Sequence, residues 1–453
     1  MSQVLTILII FATLVGVAYV LWRPRWAVLV VLVMFPLMQL LQANSGVLNQ
    51  NKYLMNLAIG FLAVFALISK VFKRETVFSG YNNPATIMVF ALYGWATLST
   101  LWSPAQGPAL DFLIGAVPYI ALFLIVTPLL LTDLVDMRRI WIGMMVLGTI
   151  IAISIALSPR AGFMGGRLMI DVGMYAGQEG GQLNALATAQ FGGMLMVIAA
   201  LVQFGKAAWL LNWIRAAAFI SGLGLAILTG SRGQVIACVI AGIVCYPLAR
   251  RVQNPKQFFA VAAGFGFIVV GVYFAFRTFI GHDNITRWDL NLMAQGFSSR
   301  FESVLTLMTE YLANPGMWLV GLGSNAFSTL STDGYVHNML AEVLAEQGII
   351  GAVILAILLY HTVVAGRRVW SLYRDEPLMR SVVAVLCAVC FYEFILTLKQ
   401  GSFLGFPAFL YWCLILSKLS KHEVAMAVEW QHEEVAEGED EEWDDQREVA
   451  VAY

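Results

Sequence analysis

The apolar stretch HNMLAEVLAEQGIIGAVILAILLYHTVV, residues 337–364, decides the fold. Between Met339 and Tyr360 its only charged side chains are Glu342 and Glu346. A helix needs about 20 mainly apolar residues to cross a hydrocarbon core about 30 Å thick. We therefore predict a membrane-spanning helix over residues 338–365.

Comparable stretches recur along the whole chain. The 453 residues are 60% hydrophobic and only 12% charged, with a mean hydropathy of +0.77. Soluble domains average about 25% charged residues, so we predict an all-α polytopic membrane protein with about 12–13 transmembrane helices. The other candidate spans lie near residues 4–22, 26–42, 54–72, 84–102, 110–131, 139–157, 183–204, 214–230, 233–249, 258–277, 380–398 and 402–417.

The distribution of Lys and Arg predicts the orientation. Cytoplasmic loops of membrane proteins carry the excess of these residues. With the N-terminus outside, 18 of the 27 Lys and Arg residues fall on the cytoplasmic side and 8 on the opposite side, and Arg447 lies far out in the tail. We therefore predict an N-terminus on the outer side and a C-terminus in the cytoplasm.

The chain divides into four regions, each named for its predicted content. Residues 1–157 are N-terminal transmembrane helices, 158–365 a membrane core with outward loops 158–182 and 278–337, 366–417 C-terminal transmembrane helices, and 418–453 an acidic tail. From residue 417 onward, 12 acidic residues face 3 basic ones, a composition typical of disorder. Such a tail is either a solvated extension or a docking segment for a cytoplasmic partner. We expect no nucleic-acid partner.

Two outward loops hold most of the chain outside the membrane. Loop 158–182 is rich in Gly and is predicted to be irregular. In the second loop the apolar spacing from Phe301 to Leu312 predicts an amphipathic helix on the membrane surface. The helix should end at NPG, residues 314–316, and a Gly-rich turn, GLGSNAF at 321–327, follows it.

His337 stands at the predicted start of its span, on the outer side. A histidine there can cap the helix, bind a metal or accept a proton. The partial positive charge of a helix N-terminus favours the neutral imidazole, which is the form that accepts a proton. Metal binding is disfavoured, since His282 is the only other outer histidine and His361 lies about 36 Å further along the helix at 1.5 Å per residue. We expect no metal and no cofactor.

Three outer arginines suggest an anionic ligand. Arg232, in LTGSRGQVIA (228–237), sits in a hairpin so short that its charge lies near the hydrocarbon, which is costly and usually functional. Snorkelling to the interface is the alternative. Arg167 and Arg300, in the two outer loops, would each be an ordinary surface residue alone. Together the three guanidinium groups suit phosphate oxygens, as in a lipid head group or a lipid diphosphate.

Three polar residues follow or flank His337 on one helical face. Asn338 is predicted to cap the helix. Glu342 and Glu346, four residues apart, lie one and two turns inside the span. Acids at that depth must face protein or water. They either orient Arg232 or Arg300 or balance charge within the bundle.

These motifs resemble the O-antigen ligase and O-antigen polymerase superfamily. Its Gly-x-Gly turn, His-Asn pair and closing Gly-Ile-Ile-Gly are similar to VGLGSNAFSTLSTDGYVHNMLAEVLAEQGIIGAVIL (320–355). TGSRG (229–233) resembles the upstream arginine motif of the family, and GRLMIDVGMYAGQEGGQLNALATA (166–189) its outer-loop arginine. Here Leu183-Asn184 replaces the usual Pro-Asn pair, in a longer loop.

The resemblance implies a metal-independent, inverting glycosyltransferase of the membrane GT-C type in the bacterial inner (plasma) membrane. Its donor would be an oligosaccharide on undecaprenyl diphosphate, presented on the periplasmic side, and its acceptor a glycan or a lipid core. By that resemblance His337 is the base, Arg232 and Arg167 hold the diphosphate, and Arg300 assists. The product would be a surface polysaccharide such as lipopolysaccharide O-antigen or exopolysaccharide.

A second class of function stays open, namely a transporter or flippase of an anionic lipid-linked saccharide. Many transporters are built from two related halves with paired, broken helices. The sequence shows no such internal symmetry, which favours the enzyme.

Overall fold

The computed structural model describes a chain that is helical almost throughout. The described residues are 15–45, 48, 51, 53–164, 167–170, 185–205, 208–252, 254–280, 290–331, 336–400, 402–404 and 407–451. Their elements are long apolar helices and one short β-hairpin. The predicted all-α polytopic membrane fold is therefore confirmed.

The described residues contain the following helices. In chain order they are α1 (15–22), α2 (Trp26–Leu32), α3 (Met34–Asn44), α4 (Leu54–Phe72), α5 (Pro84–Ser99), α6 (Gln106–Ile120), α7 (Thr127–Leu130), α8 (Leu134–Ala156), α9 (Ala185–Leu201), α10 (Trp209–Leu228), α11 (Arg232–Ala249), α12 (Pro255–Ile280), α13 (Leu290–Ala313), α14 (Met339–Leu372), α15 (Pro377–Thr397) and α16 (Ala408–Val451). A π-helical segment, Ala121–Val126, joins α6 to α7.

Among the described residues, nine helical segments are long and apolar enough to cross a membrane, and the pair α2 and α3, bent by 65°, makes a tenth. The sequence predicted 12–13 spans because it counted three further stretches. The first of these lies mostly outside the described residues. Helix α9 has only 17 residues, and α16 runs from its apolar start directly into the charged tail.

The core of the bundle is formed around α9 and α15. Thirteen of the 17 residues of α9 are buried, whereas the apolar window of α12 is only 6% buried. Helix α12 therefore presents its apolar surface outward, as expected of a lipid-facing helix, and α9 is enclosed by protein. Gly192 of α9 and Gly222 of α10 allow a close crossing, since a Cβ built on either would lie within 2.7 Å of the other's carbonyl oxygen.

One end of the bundle, called here the Arg25 end, gathers the loops to which the charge count assigned most of the Lys and Arg. Arg25 forms an ion pair with Asp136. The buried ammonium group of Lys70 donates to the carbonyl oxygens of Leu129 (3.0 Å) and Leu130 (3.3 Å), and so satisfies groups left open at the end of α7. His422 pairs with Ser79 at 2.7 Å on the same end.

The opposite end, called here the His337 end, carries the hairpin and α13. Strand β1 (Ala161–Met164) pairs antiparallel with β2 (Arg167–Ile170), so the prediction of irregular backbone at the start of loop 158–182 was wrong. β2 packs against α3 and α9, which supplies the tertiary contacts that the Gly-rich sequence did not reveal. Residues 171–182 lie outside the described part of the chain.

The acidic tail differs from the sequence prediction. Helix α16 continues without a break to Val451, whereas residues 418–453 were predicted to be disordered. The stretch is rich in Glu and contains several Ala, which are favourable in helices, and it continues from a segment that is anchored in the bundle. Glu423, near the start of the tail, accepts a hydrogen bond from the backbone N–H of Leu134 at 2.8 Å.

Candidate functional site

Helix α14 is broken at Gly348. This residue has φ 69° and ψ −169°, a conformation that is essentially restricted to Gly. An unbroken helix of 34 residues would be about 51 Å long at 1.5 Å per residue, well beyond a hydrocarbon core of about 30 Å. The break separates a short segment, 339–347, from the spanning segment 349–372.

The loop after α13 supplies the hydrogen bonds that the break removes. The bonds run from the N–H of Leu322 to the carbonyl of Ala345 (2.8 Å), from Gly323 to Glu346 (2.9 Å), from Ile349 to Trp318 (2.9 Å) and from Ile350 to Leu319 (3.2 Å). Because buried backbone groups must be satisfied inside a membrane protein, this loop is a structural part of the helix.

The two segments approach so closely that only glycine fits. Gly321 has φ 82°, and a Cβ at this position would lie 2.2 Å from the carbonyl oxygen of Glu346. A Cβ at Gly348 would lie 2.4 Å from the backbone nitrogen of Gly321. The Gly-rich turn predicted at 321–327 is confirmed. It packs directly against the break in α14.

Glu346 fixes the rest of this turn. Its buried carboxylate accepts hydrogen bonds from the backbone N–H groups of Asn325 (2.7 Å) and Phe327 (3.0 Å). Asn325 has φ 60°, a left-handed conformation that Asn tolerates better than most residues. The side chain therefore holds a tight turn that the backbone alone would not close.

The same turn is docked against the end of α5. The hydroxyl groups of Ser324 and Ser99 lie 2.8 Å apart, and Gln347 donates to Ser324 Oγ at 3.0 Å. The indole N–H of Trp102 donates to the carbonyl of Gly321 at 3.0 Å. The turn, the end of α5, the Trp102 segment and the first part of α14 thus meet at the His337 end.

Helix α13 confirms the predicted helix in the second loop and extends it to Leu290–Ala313. Its residues Leu307 and Tyr311 pack in a small apolar cluster with Phe327 and Ala345. The phenol of Tyr311 donates to the carbonyl of Trp318 at 2.6 Å. This anchoring fixes the helix over the start of α14 and gives Arg300 a defined place.

His337 and Asn338 begin α14. Asn338 caps the helix by accepting from the N–H of Ala341 at 3.1 Å, so the predicted cap is confirmed. His337 is half-buried and has φ 62°. A left-handed conformation is uncommon for a residue with a side chain, although His is enriched there, and such strain is concentrated at functional sites.

The loop after α15 joins this helix start through three hydrogen bonds. Asn338 Nδ2 donates to the carbonyl of Leu398 at 3.4 Å. The buried carboxyl group of Glu342 accepts from Ser402 Oγ at 2.6 Å and from the N–H of Phe403 at 3.1 Å. Asn338 therefore holds Leu398, and Glu342 holds Ser402 and Phe403, against the start of α14.

The roles predicted for the two glutamates differ from their observed contacts. Among the described residues, no ion pair joins Glu342 or Glu346 to an arginine. Each carboxyl group instead accepts hydrogen bonds from a loop. Both serve as anchors, one for the turn after α13 and the other for the loop after α15.

Arg232 is the first residue of α11 and follows a turn in which Gly230 has φ 64°. Its half-buried guanidinium group lies near α13, since a Cβ at Gly296 would be 3.9 Å from Nη2 of Arg232. A positive side chain at a helix N-terminus adds to the partial positive charge already there. Both charges favour an anion at this position.

Lys399 joins the arginines from the loop after α15. Its ammonium group donates to Gln234 Oε1 at 2.8 Å, and Gln234 is bonded in turn to Gln400 at 2.6 Å. The lysine side chain lies across Gly233, where a Cβ would come within 2.2–2.5 Å of its Nζ, Cδ and Cε atoms. The glycine that follows Arg232 in the sequence thus makes room for a second cation.

The electrostatics of Lys399 show that the predicted arginines converge. Burial, as the largest cause, and the positive charges of Arg300, Arg167 and Arg232 together lower the pKa of Lys399 to about 7. Arg167 comes from β2, Arg300 from α13 and Arg232 from α11. Three elements far apart in sequence therefore bring their charges to one lysine.

Sequence reasoning missed Lys399, Gln234 and Gln400 as members of this site. Lys399 was counted among the outer positive charges, but nothing in TLKQGSF (397–403) matched a known motif. The available signal was its position: a lysine directly after a span and on the same predicted side as the three arginines.

Comparisons with known proteins add no family to this description. No protein-family model matches the chain, and no curated protein matches it significantly. The functional conclusion therefore depends on the geometry of the site and on the motif resemblance.

Proposed function

We propose that the protein is a membrane glycosyltransferase that moves a glycan from undecaprenyl diphosphate to an acceptor sugar hydroxyl. The observation that supports this most directly is the convergence of Arg232, Arg167, Arg300 and Lys399 beside the helix start that carries His337. Four cations suit a ligand with several negative charges. A diphosphate on a lipid combines such charge with a membrane location.

The proposed chemistry needs a base and a stabilised leaving group. His337 accepts the proton of the acceptor hydroxyl while its oxygen attacks the anomeric carbon. The bond from that carbon to the diphosphate breaks with inversion, and the electron pair leaves on undecaprenyl diphosphate. General base catalysis contributes roughly 10²–10⁴-fold, and cations preorganised around the leaving phosphate contribute comparably or more. The chain's own charges supply this stabilisation in the proposed metal-independent reaction.

We place the His337 end on the periplasmic side of the bacterial inner membrane. The Arg25 end holds most of the loop Lys and Arg, which favours the cytoplasm for that end. Donors made in the cytoplasm would reach the site after transfer across the bilayer. Both polymerisation of repeat units and ligation to a lipid core use the transfer step described here.

A reconstituted assay tests the proposal. Full-length protein in liposomes receives a lipid-diphosphate oligosaccharide and an acceptor glycan, and product and free undecaprenyl diphosphate are measured. We expect both to form with the wild type and neither with His337→Ala. Deleting the gene then separates the two enzyme types: single repeats on the acceptor indicate a polymerase, and unattached full-length chains indicate a ligase.

One structural observation keeps the transporter as a second candidate. Among the described residues, α2 and α3 form a bent pair near the N-terminus, and α14 near the C-terminus is broken at Gly348. The sequence did not reveal either break. In transporters the ends of broken helices face the substrate. In α14 the break is filled by backbone from residues 318–323, which favours the enzyme. Movement of labelled lipid across the liposome without glycan transfer would establish the transporter instead.

A further inference from the structure

Three features of Lys399 bear on whether its amine carries a proton. It is largely buried, it lies next to three arginines, and its ammonium group is bonded to an amide oxygen, not to a carboxylate. Within the described residues no ion pair joins it to an acid. A cation in such a place is expensive to keep charged without an anion nearby.

We propose that Lys399 is a fourth cationic ligand of the diphosphate and that it takes up a proton from solvent when the anion binds. In the empty site the neutral amine accommodates the three guanidinium charges. When the diphosphate arrives, its negative charge favours the ammonium form, and the new cation contacts the anion in turn. The identity of the ligand in this inference rests on the proposed function.

The geometry around Lys399 supports this role. Its side chain is laid flat across Gly233 and directed by Gln234, which is itself held by Gln400. This network carries no charge, so it positions the amine equally well in either protonation state. A fixed carboxylate partner in its place would keep the lysine charged and compete with the diphosphate.

The charged or titratable groups around Lys399 are the three arginines, Glu342 and His337. Arg232, Arg167 and Arg300 stay charged at all relevant pH values. Glu342 faces the same loop, where its buried carboxyl group accepts from Ser402 and Phe403, and it is a second titratable group near Lys399. His337 is another, across the contact between Asn338 and Leu398. Comparing Lys399→Arg with the wild type separates Lys399 from both groups, because that variant retains Glu342 and His337.

Calorimetry on the full-length protein in detergent measures the proton directly. Farnesyl diphosphate is titrated at pH 8 in two buffers of different ionisation enthalpy, and the difference gives the protons taken up. We expect about one proton for the wild type. Lys399→Arg should bind within about threefold of the wild type and take up no such proton, since its charge is permanent.

Further variants complete the comparison. Lys399→Met should take up no proton and bind about tenfold more weakly, because one charged contact is lost. Arg160→Gln is the matched control, since Arg160 is an exposed arginine in the same outer loop as Arg167 and should behave as the wild type. His337→Asn should retain the proton uptake. Any proton exchanged by the diphosphate itself is common to all variants.

The pH dependence gives an independent measure. Between pH 7 and pH 8.5 the wild type should lose about tenfold in affinity, because an increasing share of binding must first protonate Lys399. Lys399→Arg should show no such loss. Proton uptake by Lys399→Arg equal to that of the wild type would overturn the inference, as would undiminished binding by Lys399→Met.

The outcomes also separate this inference from the proposed function. If farnesyl diphosphate binds with Lys399-dependent proton uptake but liposomes show no glycan transfer, the function fails and the role of Lys399 stands. If transfer occurs but the uptake does not depend on Lys399, the function stands and this inference fails. Equal affinity for inorganic diphosphate would overturn the lipid part of the ligand assignment.

Discussion

Asn325 donates its backbone N–H to the carboxylate of Glu346 at 2.7 Å, two residues before the break in the helix to which Glu346 belongs. The contact joins the turn after the surface helix to the helix that begins at His337. Four backbone hydrogen bonds between residues 318–323 and the two sides of the break reinforce this contact. The position of the candidate base is thus set by a packed and hydrogen-bonded unit.

Glu346→Gln should destabilise the protein more than Glu342→Gln. Both oxygens of Glu346 accept from backbone N–H groups, and the amide of Gln would turn a donor toward one of them. The expected cost is about 1–3 kcal/mol. At Glu342 one partner is the hydroxyl of Ser402, which can rotate to accept from the new amide. Thermal unfolding in detergent measures the difference; equal losses would contradict the anchoring roles.

Gly348→Ala should lower stability by about 1–3 kcal/mol or more, because the backbone conformation at this position is open essentially only to Gly. A Cβ there would also lie 2.4 Å from Leu319 O. Gly94→Ala is the control, since a Cβ on Gly94 meets nothing within 4 Å, and the change should be neutral or stabilising by up to about 1 kcal/mol. A Gly348→Ala variant as stable as the wild type would show that the break is not required.

His337→Asn should abolish glycan transfer while the fold is kept. Asn tolerates the left-handed conformation seen at His337 but cannot serve as a base at neutral pH. The turnover rate should fall by at least about 10²-fold, with the unfolding temperature and the affinity for farnesyl diphosphate little changed. Transfer at the wild-type rate by this variant would remove His337 from the mechanism.

Gly233→Ala should reproduce the effect of Lys399→Met. The added methyl group would occupy the space of the Lys399 ammonium and the adjoining methylene groups, so the flexible side chain must leave Gln234. Diphosphate binding should weaken about tenfold, through loss of one charged contact. Gly162→Ala, at a position where a Cβ has no neighbour within 4 Å, should leave binding unchanged. Normal binding by Gly233→Ala would mean that the position of Lys399 is immaterial.

The stability of the ligand-free protein should rise with pH above 7 through Lys399. Its pKa is lowered to about 7 in the folded protein, from a usual value near 10.5. Between these values the unfolded chain binds more protons than the folded one, so the free energy of unfolding increases with pH. The destabilisation caused by burying the charged Lys399 side chain is fully present below pH 7 and is relieved toward pH 10.5. Unfolding temperatures of Lys399→Met measured from pH 6.5 to 9 should lack this part of the rise.

Much of the fold could be predicted because it depends on local composition. Apolar length located the spans, and the Asn338 cap and a helix over residues 301–312 followed from short-range patterns. The hairpin at 161–170 and the break at Gly348 could not be predicted in this way. Both are stabilised by contacts with distant segments, and IIGAVIL reads as a continuous apolar helix when it is considered alone.

Some residues of the candidate site could likewise be predicted from local sequence, and others could not. Arg232, Arg167, Arg300 and His337 stood out because positive charge and histidine are unusual at their predicted positions. The roles of Glu342 and Glu346 required the structure, since their partners are backbone N–H groups, which carry no sequence signal. Lys399 was missed because its significance comes from its neighbours and not from the residues beside it in the chain.

The contact between residues 318–323 and 345–350 is made largely by main-chain atoms. Main-chain hydrogen bonds are available to almost any sequence, so this part of the scaffold constrains few side chains. Within this contact Gly321 and Gly348 must lack a side chain, because the two backbone segments touch at these positions. Side chains of these segments that make no hydrogen bond should therefore tolerate substitution, whereas a side chain added at Gly321 or Gly348 should not be tolerated.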